Sequence, residues 1–272
     1  MVVQHNMQAV NANRMLGQNV KAVAKNTEKL SSGYKVNRAA DDAAGLSISE
    51  KMRNQIRGLN QAVSNSEDGQ YLIQTAEGNM NEIHSILQRM GELANKAAND
   101  VNATEDRTSI QDEMDQLHSE INSIASKAAF NGTKLLDGSM SGGKYLQVGA
   151  NAGENMKISI AKLNATGMGI GNSPSVSTHT KASKAMSDIT KAIKCVSAQR
   201  SKLGAIQNRL DYTINNLNNY SENLTASESN IRDTDMASEM VNYSKNNILQ
   251  QAAQSMLSQA NQATQGVMSL LQ

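Results

Sequence analysis

The fold is decided by residues 52–97, MRNQIRGLNQAVSNSEDGQYLIQTAEGNMNEIHSILQRMGELANKA. Apolar side chains recur there in alternating steps of four and three, the spacing of a coiled-coil seam, and only Ser66 and Gln70 interrupt it. The seam consists of Met52, Ile56, Leu59, Val63, Ser66, Gln70, Ile73, Ala76, Met80, Ile83, Leu87, Met90, Ala94 and Ala97. A helix of this length extends roughly 70 Å at about 1.5 Å per residue. The stretch therefore predicts a helical rod.

A second seam with the same rhythm lies in residues 182–231. Its members are Ala182, Ala185, Ile189, Ala192, Val196, Gln199, Leu203, Ile206, Leu210, Thr213, Leu217, Tyr220, Leu224, Ser227 and Ile231. Because the two seams have similar lengths, they can pair along their full extent as long antiparallel coiled-coil rods. Between them, residues 105–130 predict a third helix, which the Asn-Gly and Asp-Gly turn signals that follow bring to an end.

One small β-hairpin is predicted at about residues 144–160, KYLQVGANAGENMKISI. Leu146 and Val148 alternate with other residues on one side of a Gly-Ala-Asn-Ala-Gly turn, and a similar alternation follows the turn. Residues 161–181 are rich in Gly and Ser, hold the only proline, Pro174, and predict a loop. The predicted fold class is mainly α, with two rods and one hairpin.

The composition excludes several classes of function. A net charge of +1 implies neither nucleic acid nor an anionic membrane as a partner, and no apolar run of about 18 residues is present to span a membrane. Cys195 is the only cysteine, which excludes an intramolecular disulfide and predicts a buried thiol. The four histidines have no spacing that predicts a zinc site; they are His5, His84, His118 and His179. No phosphate-binding loop or nucleophile motif occurs, so we predict no enzyme and no cofactor.

Two adjacent carboxylates, Asp41 and Asp42, lie in residues 36–55, VNRAADDAAGLSISEKMRNQ. They could form a catalytic or metal-binding pair, but no histidine is near them in the sequence. A structural interpretation is favoured, in which Asp42 caps the helix that begins near Ala43, because carboxylates stabilise a helix N-terminus. We predict that Asp41, Asp42 and Gly45 form a hinge between two helices.

The two ends of the chain carry thinner seams of the same kind, and residues 246–272 contain no charged residue. The predicted packing positions are Leu16, Val20, Val23 and Leu30 near one end, and Leu249, Ala253, Met256, Ala260, Val267 and Leu270 near the other. Isolated helices of this type are marginal in water. We therefore expect both ends to be disordered in the monomer and to become ordered by packing against each other and against neighbouring copies.

Several long stretches resemble bacterial flagellin, over essentially the full chain. They are KLSSGYKVNRAADDAAGLSIS at 29–49, LQRMGELANKAAN at 87–99, FNGTKLLDG at 130–138, LQVGANAGENMKISI at 146–160 and LGAIQNRLDYTINNLNNYSENLTASESNIRDTDMASEM at 203–240. The resemblance implies an extracellular subunit that self-assembles into the flagellar filament for motility, with its terminal helices paired in the filament core.

The resemblance also implies a division into domains. Residues 1–45 and 232–272 would form a discontinuous inner-core domain that contains the packing positions named above. Residues 46–231 would form an outer-core rod domain. The variable outer domain of most flagellins would be replaced by the short loop 161–181, so the sequence predicts a minimal flagellin.

Further partners are implied by the resemblance alone. They are the flagellar type III export machine, which acts without a cleaved signal peptide, an export chaperone at the C-terminal helix, and the filament cap and hook–filament junction proteins. Two alternatives stay open: the chain could itself be a hook–filament junction protein, or a secreted coiled-coil ligand or adhesin for a host receptor.

A possible receptor surface is predicted where Arg89, Glu92 and Leu93 lie off the first seam. An arginine and a leucine exposed together on a rod suit a protein interface. In flagellins that vertebrate Toll-like receptor 5 recognises, matching positions carry this pattern, and the resemblance implies the same role here. The positions are Gln88, Arg89, Leu93, Ile110 and Glu113.

Overall fold

The structure is a computed structural model that describes residues 6–270, apart from the side chains of residues 264 and 267–270. Over this range the elements are α1 (Met7–Ser32), α2 (Ala43–Ala97), α3 (Thr104–Lys127), β1 (Ala129–Phe130), β2 (Thr133–Lys134), β3 (Lys144–Gln147), β4 (Asn155–Ile158), α4 (His179–Arg232) and α5 (Met236–Leu270). The predicted mainly-α fold with long helices and a small hairpin is confirmed. None of the helices in the described range is long and apolar enough to cross a membrane.

The chain divides into two compact units. The rod unit is Ile56–Ser221, and the terminal unit contains the described residues up to Gln55 and from Glu222 onward. The terminal unit therefore includes the first turns of α2 and the last turns of α4, beyond the boundaries expected at residues 45 and 232.

The rod unit has a continuous apolar core that follows the predicted seams over part of their length. Every seam residue of α2 from Ile73 to Ala97 is buried, as is every seam residue of α4 from Ala182 to Leu203. Helix α3 adds four buried side chains, Ile110, Met114, Ile121 and Ala125. The polar seam residue Ser66 is also buried, and its hydroxyl donates a hydrogen bond to the Ala62 carbonyl at 2.7 Å. Its burial is therefore compatible with an otherwise apolar seam.

The hairpin β3–β4 packs on α2. The strands are antiparallel, and Leu146 pairs with Met156 in the register. Asn65 Nδ2 of α2 donates to the Gln147 carbonyl at 3.2 Å. Gly58 permits this close approach, because a Cβ atom at that position would lie 3.0 Å from Cβ of Ala150.

The predicted end of the third helix is wrong. Helix α3 ends at Lys127, and β1 and β2 then form a second short antiparallel pair in place of the expected helix as far as residue 130. Asn131 and Gly132 connect these strands with φ values of 45° and 75°. Two positive φ values in a two-residue connection are typical of a type I′ turn, which matches the right-handed twist of a hairpin. The Asn-Gly signal therefore marks a strand connection.

Helices α1 and α5 form an antiparallel pair in the terminal unit. Asn6 Nδ2 donates to the Ala260 carbonyl at 2.9 Å, and Lys29 Nζ lies 4.0 Å from Glu239 Oε2. Among the described side chains of the two helices, only Asn26 and Glu239 are buried. The pair therefore has no apolar core of its own.

Candidate functional site

The segment between α1 and α2 is organised by Asp42, which lies immediately before α2. Its Oδ1 atom accepts a hydrogen bond from the Gly45 backbone N–H at 2.9 Å, and its carbonyl accepts from Leu46 N–H at 3.0 Å. This is the geometry of an N-cap residue. Gly45 is buried beneath the carboxylate, and a Cβ atom there would collide with Asp42.

Asp41 has a different set of partners. Lys25 Nζ lies 2.7 Å from its Oδ1, and the backbone N–H groups of Arg38 and Asn37 donate to its Oδ2 at 3.1 and 3.3 Å. The hydrogen bond from Lys25, followed by that from Arg38, lowers the pKa of Asp41 to about 2. The two carboxylates therefore serve separate structural contacts. In the described part of the chain, no three His, Cys, Asp or Glu side chains are placed to hold a metal ion.

Tyr34 is a structural residue that the sequence patterns did not indicate. The Arg232 guanidinium carbon lies 4.6 Å from its ring centroid, and that of Arg53 lies 5.9 Å away. Both arginines also form ion pairs, Arg232 with Glu50 at 2.9 Å and Arg53 with Glu228 at 3.0 Å. A Tyr after a helix-ending Gly looks like an ordinary loop residue, and seam spacing carries no signal for this contact.

The backbone on either side of Tyr34 forms a second link across the terminal unit. Lys35 N–H donates to the Arg232 carbonyl at 2.7 Å, and Thr234 N–H donates to the Gly33 carbonyl at 3.0 Å. Gly33 ends α1 with a φ of 75°, a left-handed conformation that glycine adopts without steric cost. The connections that follow α1 and α4 are thereby bonded together.

The structure separates the predicted packing positions into two groups. Leu16, Val23 and Leu30 of α1, and Ala253 and Ala260 of α5, are half-buried. Val20, Leu249 and Met256 are exposed. Val267 and Leu270 lie outside the described side chains.

The α1–α5 groove is a depression between these two helices of about 510 Å³. It is lined by Gln8, Asn11, Ala12, Met15, Ala253, Met256, Gln259, Ala260 and Ala263. Its largest apolar side chains, Met15 and Met256, come one from each helix. The groove thus exposes apolar surface to solvent in the α1–α5 pair, which has no buried apolar side chain among those described.

The predicted receptor surface forms around Arg89 in the rod unit. Arg89 Nη2 lies 2.9 Å from Glu113 Oε1 of α3, and Nη1 lies 3.2 Å from Glu92 Oε2 of α2. Arg89, Glu92 and Glu113 border an open groove of about 550 Å³. Gln88 is exposed on the same helix, with its Nε2 3.2 Å from His84 Nε2. The structure therefore places the predicted receptor residues Arg89 and Glu113 at this groove, and Gln88 is exposed next to Arg89 in the sequence.

The expectation that Leu93 is exposed is wrong. Its side chain is only 3% exposed, and Ile110 of α3 is only 6% exposed. Both belong to the apolar core and line the groove bordered by Arg89, because α3 packs on this side of α2. Spacing along one helix could not reveal the packing of a third helix.

These features define the class of protein before any comparison. A rod with a buried coiled-coil core and a terminal helix pair without one is typical of an α-helical structural subunit. Comparison with known proteins then identifies the family. Residues 3–141 match the bacterial flagellin N-terminal helical region, and residues 186–271 match the bacterial flagellin C-terminal helical region.

Full-length relatives agree with this match. The chain is 51% identical to a flagellin of Halalkalibacterium halodurans and 46% identical to the flagellar filament 33 kDa core protein of Treponema phagedenis, over 100% of each chain in both cases. The crystal structure of Bacillus cereus flagellin superposes with a TM-score of 0.51 and 29% identity, over 57% of this chain and 88% of that one.

The chain belongs to the bacterial flagellin family. It is a structural subunit of the flagellar filament in the extracellular flagellum, not an enzyme, and a role in motility follows. It is a minimal flagellin, because only residues 159–178 separate β4 from α4 and no outer domain is present there.

Proposed function

We propose that the exposed face of the α1–α5 pair is the surface through which copies of this flagellin polymerise. The observation that carries the proposal is the placement of large apolar residues. Val20, Leu249 and Met256 face solvent, although the same helix pair keeps Leu16, Val23 and Leu30 half-buried. Full burial of each large apolar side chain contributes about 1.5–3 kcal/mol. A second copy of the chain is the occupant that a filament subunit requires.

The same reasoning supports an assembly-coupled ordering of the ends. A helix pair with no buried apolar side chain gains little stability to oppose the conformational entropy of ordering it. In the free subunit, α1 and α5 would therefore be marginally stable helices that open readily, and they would become fully ordered as they join the inner core of a filament. This cost hinders polymerisation away from the growing end.

A deletion tests the polymerisation surface. Removal of residues 246–272 should abolish growth on filament seeds while the rod unit keeps its helical circular dichroism. Leu249→Ser should slow seeded growth, and the matched control Val101→Ser should not, because Val101 is an exposed apolar residue in the α2–α3 connection. Growth of the truncated chain at the wild-type rate would contradict the proposal.

We also propose that α5 is held by an export chaperone before type III secretion. A helix with exposed apolar side chains and no charge from residue 246 onward suits a hydrophobic groove. Chaperone binding would also cover the polymerisation surface. Calorimetry with the purified flagellar export chaperone should show weaker binding to Leu249→Ser than to Val101→Ser. Equal affinities would exclude this surface from the chaperone site.

The filament cap and the hook–filament junction proteins are the proposed partners at the two ends of the filament. The alternative that this chain is itself a junction protein is less favoured, because full-length relatives are flagellins and filament core proteins. Electron microscopy of the purified chain on seeds separates the two. A flagellin elongates seeds continuously, whereas a junction protein adds only a short segment.

A second function, binding of vertebrate Toll-like receptor 5, is supported by the groove between α2 and α3. Arg89 links the two helices there, and Glu113 is half-exposed beside it. An arginine fork next to apolar side chains suits a protein interface. Leu93 and Ile110 would act mainly by holding the groove in shape, because both are buried.

A receptor reporter assay tests this second function. Arg89→Ala should weaken the response. Arg200→Ala is a matched control, because Arg200 also forms a partly exposed ion pair in the rod unit, with Glu77 at 3.4 Å. If both variants signal like the wild type, Arg89 is not part of a receptor site. An undiminished response from a seeded filament would show that this groove stays accessible after assembly.

A further inference from the structure

The methionines in the described part of the chain differ in exposure between the two units. In the rod unit, Met80, Met90 and Met114 are 0% exposed. Among the described side chains, every exposed methionine lies in α1 or α5; they are Met7, Met15, Met236, Met240 and Met256. A reagent dissolved in water therefore reaches methionine sulfur atoms most easily in the helix pair that carries the proposed polymerisation surface.

Two of the exposed methionines share one site. Met15 of α1 is 45% exposed, Met256 of α5 is 64% exposed, and both line the α1–α5 groove. The rest of the groove consists of alanines and uncharged amides. No charged group among the described residues lines the groove, so only its uncharged amides could interact with a new polar group there.

We infer that Met15 and Met256 form an oxidation-sensitive site that prevents polymerisation when it is converted to the sulfoxide. This inference rests on the proposed polymerisation surface. The oxidant is a peroxide such as hydrogen peroxide. The thioether sulfur attacks one peroxide oxygen, an S–O bond forms as the O–O bond breaks, the sulfur loses two electrons, and the peroxide is reduced to water.

The consequence follows from the change in polarity. Methionine sulfoxide is polar and chiral, and its oxygen is a hydrogen-bond acceptor. Packing a second copy against the groove would take this polar group out of water, and only the side-chain amides of Gln8, Asn11 and Gln259 could replace its hydrogen bonds to water. The loss of hydration opposes association. The modification acts before assembly, because a groove filled by a neighbouring copy is closed to the oxidant. Reduction by the two stereospecific methionine sulfoxide reductases reverses it.

The first experiment maps the oxidation. Free subunits and seeded filaments are treated with the same graded hydrogen peroxide, and peptide mass spectrometry quantifies the sulfoxide at each position. Met15 and Met256 should be oxidised in free subunits before Met80 and Met90, and should be protected in filaments. Oxidation of Met80 at the rate of Met256, or equal oxidation of Met256 in subunits and filaments, would overturn the inference.

The second experiment measures seeded growth, with each protein compared with its own untreated half. Treated wild type should lose growth and regain it after incubation with both reductases. The double variant Met15→Leu, Met256→Leu should keep its untreated growth rate after peroxide. The control Met7→Leu should lose growth as the wild type does, because Met7 does not line the groove.

Failure of the inference and failure of the proposed function give different results. If untreated wild type does not grow on seeds, the polymerisation surface itself is wrong. If untreated wild type grows and fully oxidised wild type grows equally well, only the oxidation site is wrong. Loss of growth in the treated double variant would also overturn the inference, because it would assign the sensitivity to other residues.

Discussion

The rod unit and the terminal unit share one sequence rhythm and use it differently. In the rod unit, the four-three spacing places Ile83, Leu87 and Met90 in a core that is closed by α3 and α4. In the terminal unit, the same spacing leaves Val20 and Leu249 in solvent. The comparison teaches that a heptad seam predicts a helix that needs a partner, but not whether the partner belongs to the same chain.

The difference has an energetic consequence. Side chains such as Leu87 stabilise the rod unit within one subunit, because their burial does not depend on another copy. The exposed residues of the terminal unit can contribute only when a neighbour covers them. Stability of the terminal unit should therefore rise with protein concentration, as for any species that binds the folded state.

The largest effect on stability is expected from a substitution in the core of the rod unit, compared with one on the surface of the terminal unit. Leu87→Ala should lower the free energy of unfolding of the rod unit by about 2–5 kcal/mol, because it opens a cavity in a closed core. Leu249→Ala should change the free energy of unfolding of the terminal unit by less than about 0.5 kcal/mol, since the side chain is already exposed. Urea unfolding followed by circular dichroism measures both.

Seeded growth should separate the same two variants in another way. Leu249→Ala should slow growth although its subunit is as stable as the wild type. A loss of stability in Leu249→Ala as large as that in Leu87→Ala would mean that the helix pair has a closed core in the free subunit. The contrast between the two units would then be wrong.

Much of the rod unit was predictable because its periodic signal is long. The α2 seam holds without a slip from Ile73 to Ala97, and every position on it is buried. The pairing of α1 with α5 was predictable as well, but the exact face was not. The one buried residue of α1 is Asn26, a polar side chain that is not among the predicted packing positions. Small and polar contact residues leave no hydrophobic pattern to read.

The candidate sites were predictable only where local rules apply. The N-cap geometry of Asp42 follows from short-range backbone chemistry, so the sequence alone suggested it. Contacts between distant segments were out of reach. Tyr34 contacts Arg232, which is distant in the sequence, and the burial of Leu93 depends on where α3 packs.

The second largest effect is expected at the start of α2, in the terminal unit. Asp42→Ala should cost about 0.5–2 kcal/mol, because the Gly45 N–H loses its acceptor. Asp42→Ser should retain most of the stability, since a serine hydroxyl can accept the same hydrogen bond. Amide hydrogen exchange at Gly45 and Leu46 measures the first turn. Equal protection in the Ala and Ser variants would mean that the cap does not stabilise the helix.

A smaller effect is expected at the Tyr34 contact. Tyr34→Leu should cost about 0.5–1 kcal/mol for each arginine, because it removes the aromatic face that the guanidinium groups of Arg232 and Arg53 approach. Tyr34→Phe keeps the ring and is the control. Hydrogen exchange of the Lys35 and Thr234 amides, which bond across this region, should accelerate in Tyr34→Leu alone. Acceleration in both variants would assign the effect to the hydroxyl group.

The smallest expected effect is a loss of stability in acid. It sharpens the contrast between the two units, because it acts on the terminal unit. The pKa of Asp41 is about 2 in the folded chain, below the value of about 3.9 for an unfolded Asp, owing first to the hydrogen bond from Lys25. A lowered folded pKa stabilises the unit fully above about pH 3.9. The contribution is lost as the pH falls from there towards 2.

Asp41→Asn should therefore remove part of the acid sensitivity of α1, measured by amide exchange in the terminal unit. Added salt should reduce the difference, because Lys25 is exposed and the pair is screened. Identical acid profiles for Asp41→Asn and the wild type at low salt would show that the ion pair does not hold α1 to the start of α2.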